Sequence, residues 1–255
     1  MERNIKYILI DILKSKLIIG YALLIGILSW SVFNLEDTSS KGLLTILNVI
    51  LLTVPLVSII FSTIYIYNSS EFIELMVSQP IERKKIWFSL FIGLCTAFVV
   101  AFLIGAGIPL LVYSPNAQGL IMIVIGCLIS CVFVAVAFLC ATITKDKAKG
   151  TGLAIIIWLF FALLFDGLIL FLTFQLADYP IEKPMVFVTA LNPIDLSRIL
   201  MLLQLDASAM MGYTGAIFKN FFGNTLGMII SFLLIILWIV VPFYISLKKF
   251  RNKDL

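Results

Sequence analysis

Asp166 stands alone in the run WLFFALLFDGLILFL, an ionisable group with no other charge for many residues on either side. A charged side chain at the centre of an apolar segment costs about 2.5–3.5 kcal/mol on insertion scales, so such groups face a bundle interior or a cavity. The chemistry open to it is that of a substrate path or a relay between subunits. Equally it is a helix-packing residue hydrogen-bonded to a neighbour, or a protonated acid. No lysine or arginine within the apolar segments offers itself as partner. Sulfur is the other candidate. Cys127 and Cys131 share a helix face, and Met201, Met210 and Met211 cluster elsewhere. Soft sulfur ligands suit Cu(I), but thiols and thioethers are also ordinary packing residues in apolar helices. No metal site and no cofactor are assigned to the chain on this basis.

Histidine is absent, which removes the commonest general base and metal ligand. No Gly-x-x-x-x-Gly-Lys-[Ser/Thr] loop occurs, so ATP is not held by that device. Nothing resembles an intramembrane Ser-His pair. The sequence therefore reads as a non-catalytic subunit. All four cysteines (Cys95, Cys127, Cys131, Cys140) lie in apolar stretches, which argues against a disulfide framework.

The elements that must position these residues are set by composition. Of 255 residues 62% are apolar and 13% charged, against about 45–50% and about 25% in soluble domains. Six apolar stretches run approximately Leu17–Phe33, Leu43–Tyr67, Ile86–Tyr113, Leu120–Ile143, Leu153–Leu176 and Thr225–Leu247. Each approaches or exceeds the roughly 20 residues needed to cross a bilayer. The fold class is all-α: one polytopic transmembrane domain over residues 1–255 with six spanning helices. Strand-type alternation is weak throughout, which argues against a β-barrel. Pro55 and Pro109 are expected kink sites. Gly20, Gly26, Gly93, Gly105 and Gly107 suit close helix packing.

Residues 1–16 place Ile5, Ile8, Leu9, Ile12 and Leu13 at helical spacing. This is the pattern of an amphipathic helix at the membrane surface, or of an extension of the first span. The segment has no cleavable-signal pattern. Basic residues orient the chain. With the N-terminus inside, 14 of the 18 fall in inner segments, and only Lys41, Lys183, Arg198 and Lys219 outside. Both termini are then cytoplasmic, in the bacterial inner membrane.

Two connections are longer than they need to be, and long loops in compact proteins are usually functional. Residues 68–85, on the cytoplasmic side, read NSSEFIELMVSQPIERKK. Ser69 or Ser70 can cap a short helix with Glu71 and Glu74 in its first turn. Phe72, Leu75 and Met76 form its apolar face, Pro80 ends it, and Arg83 marks the start of the third span. The periplasmic connection, 177–223, contains ALNPIDLSRILMLLQLDASAMMGYTGA. Asn192 caps, Pro193 takes the first helical position, and Asp195 sits in the first turn. Asp195, Arg198, Gln204 and Asp206 interrupt the apolar pattern, so this helix is expected to skim or re-enter the membrane rather than span it.

The first loop resembles the coupling segment of ABC-2 type transporter permeases: a glutamate (Glu71 or Glu74), Leu75, then Pro80, Ile81 and Arg83. The Gly-Thr that often follows the first glutamate is replaced by Phe72 and Ile73. The second loop, with Asn192, Pro193, Asp195, Arg198 and the Gly212, Tyr213, Gly215 stretch, is similar to the NosY family of permeases. That resemblance implies a homodimer, NosF-like ABC-type ATPase subunits docking at residues 68–85, and a NosD-like periplasmic β-helical protein. It also implies a role in copper-centre maturation of nitrous oxide reductase, with copper or sulfur delivered through the periplasmic partner. Two alternatives stay open: a generic ABC-2 exporter of a lipid, peptide or antibiotic, and a secondary transporter or membrane scaffold without an ATPase. Against the latter, no internal repeat relates residues 17–113 to 120–247.

Overall fold

The structure, a computed structural model, describes residues 12, 15–36, 39–78, 82–176, 182–204 and 225–252. Among these residues all regular structure is helical, and six helices are long and apolar enough to cross a membrane. They are Lys16–Leu35, Lys41–Asn68, Arg83–Tyr113, Ala117–Ile143, Lys147–Gln175 and Gly227–Arg251, here spans one to six. Each of the six apolar stretches falls on one of them. Helix starts are set by caps that the apolar pattern alone does not locate. Ser15 Oγ accepts from Ile18 N at 3.3 Å. Asp146 Oδ1 accepts from Ala148 N at 2.7 Å and Lys149 N at 3.1 Å, so span five begins at Lys147. These same backbone donors hold the exposed Asp146 carboxyl below the usual range.

Span four is the hub, packing against spans two, three, five and six. Apolar transfer gives no driving force between helices already in lipid, so association depends on close packing and interhelical hydrogen bonds. Span four supplies small buried residues for this, including Gly126, Ser130, Ala135 and Ala137. The Phe102 ring of span three fills the place a side chain at Gly126 would need. Span one meets span three where Gly26 faces Gly105. A Cβ on Gly105 would stand 2.7 Å from the Ala22 carbonyl oxygen, a backbone atom that cannot swing aside. Gly105→Ala is therefore expected to loosen span one by about 1–3 kcal/mol, the usual cost of overpacking. SDS-unfolding of the purified chain reads this directly. Gly20→Ala is the control and should show no loss: contrary to the packing expected of it, Gly20 has nothing within 4 Å of a would-be Cβ.

The two prolines act differently. The helix runs through Pro55 without interruption. Around Pro109 the ladder widens into a π-turn over Leu103–Gly107, and α-helix resumes at Ile108. Pro109 has no N–H to give the Gly105 carbonyl, so the local pairing must adjust. Span five has a second π-turn, Phe160–Leu164, with no proline near it. Among the described residues between spans five and six lie two short helices, Glu182–Ala190 and Pro193–Gln204. The second is a half-helix packed against spans two, four and six and the π-turn of span five.

Candidate functional site

One end of the bundle gathers most of the described basic residues. Lys147 Nζ donates to Asn68 Oδ1 at 2.7 Å, and the Arg83 guanidinium donates to the Arg251 carbonyl at 3.4 Å. At this basic end a short helix, Ser70–Val77, joins spans two and three. It begins where Ser69 N still bonds the Tyr65 carbonyl of span two. Ser69 occupies the cap position without a side-chain bond, so its expected capping role is not realised. Glu71 lies in the first turn, whereas Glu74 lies beyond it. The apolar face also differs from expectation. Ile73, 4% exposed, is the anchoring residue, with Met76 and Val77 half-buried. Phe72 and Leu75 instead face outward, Leu75 being 65% exposed, alongside exposed Glu71 and Glu74. Helical spacing allows either face, since 72, 75 and 76 form one and 73, 76 and 77 another with Met76 common to both, and the bundle buries the second.

Beneath this helix is a cavity of about 310 Å³ bordered by Tyr67, Ile73, Glu74, Trp87, Lys145 and Phe250. Trp87 joins three spans. Its ring stacks on Phe250 at 4.1 Å and meets Phe138 edge-on at 4.8 Å. Its Nε1 donates to Ser246 Oγ at 3.0 Å, and that hydroxyl donates to the Phe138 carbonyl at 2.9 Å. Tyr67 bonds Thr144. The basic end thus joins spans three, four and six through aromatic contacts that helical periodicity does not disclose, beside a short helix that packs on spans two and three.

The second constellation surrounds Asn192. Its Oδ1 accepts from Ile194 N at 3.0 Å, the capping geometry expected with Pro193 as the first residue of the half-helix. Its Nδ2 donates both to the Phe161 carbonyl and to Asp195 Oδ2, each at 2.8 Å. Phe161 lies in the π-turn of span five, so Asn192 satisfies a carbonyl where the ladder is out of α register. Asp166 does have a basic partner, and it comes from outside the spans. Arg198 donates to Asp166 Oδ2 at 2.8 Å and to Asp195 Oδ1 at 3.2 Å. Asp195 is buried, while the Asp166 and Arg198 side chains are about one-third exposed. Burial pushes the Asp195 carboxyl up to about 7, the Asp166 carboxylate adds to this, and Arg198 and Asn192 oppose it.

The sequence sets Asn192, Pro193, Asp195 and Arg198 apart from Asp166, whereas the fold brings all but Pro193 into one hydrogen-bonded network with it. A usable signal existed: an Asn-Pro helix start carrying Asp and Arg at i, i+3 amid residues that otherwise read as buried. Pro80, Gly212, Tyr213 and Gly215, Met210 and Met211, and nearly all of residues 1–16 lie outside the described residues. Among the described residues no three or more Asp, Glu or Cys are grouped so as to hold a metal ion. Met201 is fully buried in the half-helix packing.

Residues 23–255 match the family of ABC-2 family transporter proteins. The chain is also 28% identical over 145 residues to a probable ABC transporter permease protein NosY of Pseudomonas aeruginosa. That similarity covers 53% of each chain, so the sequence spans about half the length of the curated relative it matches. With six apolar spans and a family match over nearly all of its length, this chain is a multi-pass protein of the bacterial inner membrane and belongs to the ABC-2 transporter family.

Proposed function

We propose that this chain is the permease half of an ATP-driven machine whose ATPase is a separate, NosF-like subunit docking at the basic end. The observation that carries this reading is the Ser70–Val77 helix, which turns Phe72 and Leu75 outward beside Glu71 and Glu74 while rooted by buried Ile73. An apolar pair rimmed by acids suits a cleft in a soluble partner. The basic end faces the cytoplasm, as the positive-inside rule requires. Two copies form the working permease. In one copy only 6% of the most apolar stretch of span five is buried, and Asp166 on the span is part-exposed, which lipid would disfavour and a second copy would cover. The event driven on the far side is copper-centre maturation of nitrous oxide reductase, through a NosD-like periplasmic protein held by the connection at 177–223. ATP-driven closure of the two ATPases pushes on residues 71–80, and tilting of the six-span bundles carries the motion across.

Purifying the tagged chain from native membranes in mild detergent tests the assembly. Retention of both an ATPase and a periplasmic β-helix protein supports the reading. An ATPase alone favours a generic exporter, and no ATPase at all overturns the proposal. Glu74→Ala should leave membrane insertion intact and reduce reductase maturation per ATP hydrolysed at least about tenfold, the effect of losing about 1.4 kcal/mol of coupling. Full maturation activity in that variant would remove the coupling role from Glu74.

A further inference from the structure

The network at the half-helix holds two carboxylates against one guanidinium. Arg198 Nη1 reaches both Asp166 Oδ2 at 2.8 Å and Asp195 Oδ1 at 3.2 Å, so the two carboxyls flank the same nitrogen. Two ionised carboxylates this close repel, and one arginine leaves the group with a surplus negative charge in a largely apolar setting. Among the described residues, no other cation is bonded to the group from the packed elements. Span two carries only Lys41, exposed at its start; span four carries no Asp, Glu, Lys or Arg, and span six none before Lys248. Their remaining titratable side chains are tyrosines and thiols. On the Glu182–Ala190 helix, Glu182 and Lys183 stand at the end remote from Asn192. A proton is the simplest ligand that neutralises the group, since an acid donates to its carboxylate neighbour where two carboxylates cannot both accept.

We propose that Asp195, Asp166 and Arg198 form a proton-binding site at the joint between the half-helix Pro193–Gln204 and span five, so that docking the half-helix takes up a proton. The step is a protonation of the Asp195 carboxylate, with no other bond made or broken. Undocking hydrates Asp195 and returns it to the ordinary carboxylate range, near 3.9, which releases the proton. The sign follows from linkage. A carboxyl raised in the docked state favours docking as pH falls through the docked-state value of about 7. The docking equilibrium then shifts by up to tenfold per pH unit until the undocked carboxyl also protonates. Above that range no further loss is expected.

Infrared spectroscopy of the full chain, labelled with ¹³C-aspartate and titrated from acid to alkaline pH in lipid nanodiscs, tests this. A carboxylic-acid carbonyl band should disappear with a midpoint near neutrality. It should be missing in Asp195→Asn, and its midpoint should fall in Asp166→Asn, where the neighbouring charge is gone. Amide exchange across residues 194–201, corrected for intrinsic pH dependence, is the second readout. Protection in the native sequence should drop as pH rises through neutrality and level off above it, while Asp195→Asn stays flat. Two results would overturn the proposal: no aspartic acid band titrating near neutrality, or a pH-dependent protection that persists unchanged in Asp195→Asn. A fold defect in one variant does not obscure the test, because the band and the exchange profile are both read first in the unaltered chain.

Discussion

Arg198→Met should cost about 2–3 kcal/mol, with the half-helix Pro193–Gln204 losing its packing before the rest of the bundle. The reasoning is an asymmetry between removing one partner and removing both. Methionine keeps much of the stem volume but deletes the cation that serves Asp166 at 2.8 Å and Asp195 at 3.2 Å. Breaking a fully buried pair this way typically costs about 3–5 kcal/mol. The value expected here is lower because the Arg198 and Asp166 side chains are 31% and 37% exposed, and solvent screens what is left behind. Adding Asp195→Asn and Asp166→Asn to Arg198→Met should recover most of the loss, since no buried charge then lacks a counter-charge. SDS-unfolding midpoints of the single, paired and triple variants give the coupling energy. A simple sum of the separate losses would mean that the network contributes nothing beyond shape.

Trp87→Ala is expected to be the more damaging change at the opposite end, costing about 3 kcal/mol or more. Trp87 is 2% exposed and touches Phe250 of span six and Phe138 of span four, four residues after span three begins. Ser246 keeps its bond to the Phe138 carbonyl when the indole is gone, so no buried hydroxyl is orphaned. The loss is therefore one of packing around a cavity already about 310 Å³ in volume. Trp87→Phe retains the stacking and should cost about 1 kcal/mol, close to a single hydrogen bond and some volume. Trp87 borders the same cavity as Ile73 and Glu74, so the alanine variant should also blunt the response of the bundle to an ATPase docked on the short helix. It differs from Glu74→Ala in one measurable respect. Glu74 is exposed, and its loss should lower coupling with unfolding unchanged, whereas Trp87→Ala should lower both.

What the residues alone determined is the membrane character, the helical class and the number of spans. Bilayer thickness requires about 20 uninterrupted apolar residues, and that demand is written locally along the chain. The start of the half-helix was legible for the same reason: Asn192, Pro193 and Asp195 act on backbone groups within a few residues of themselves. Contacts across the fold were not. Asp166 and Arg198 are 32 residues apart, and only the return of the connection onto span five makes them partners. The π-turn at Phe160–Leu164 has no proline to announce it and is matched by an asparagine from another element. Which face of the Ser70–Val77 helix is anchored also depends on what lies beneath it: periodicity picked out Phe72, Leu75 and Met76, whereas the bundle buries Ile73. Local rules carry far in a membrane because lipid forbids unsatisfied backbone. They stop at the side chains that join one helix to another, since those partners are chosen by packing in three dimensions.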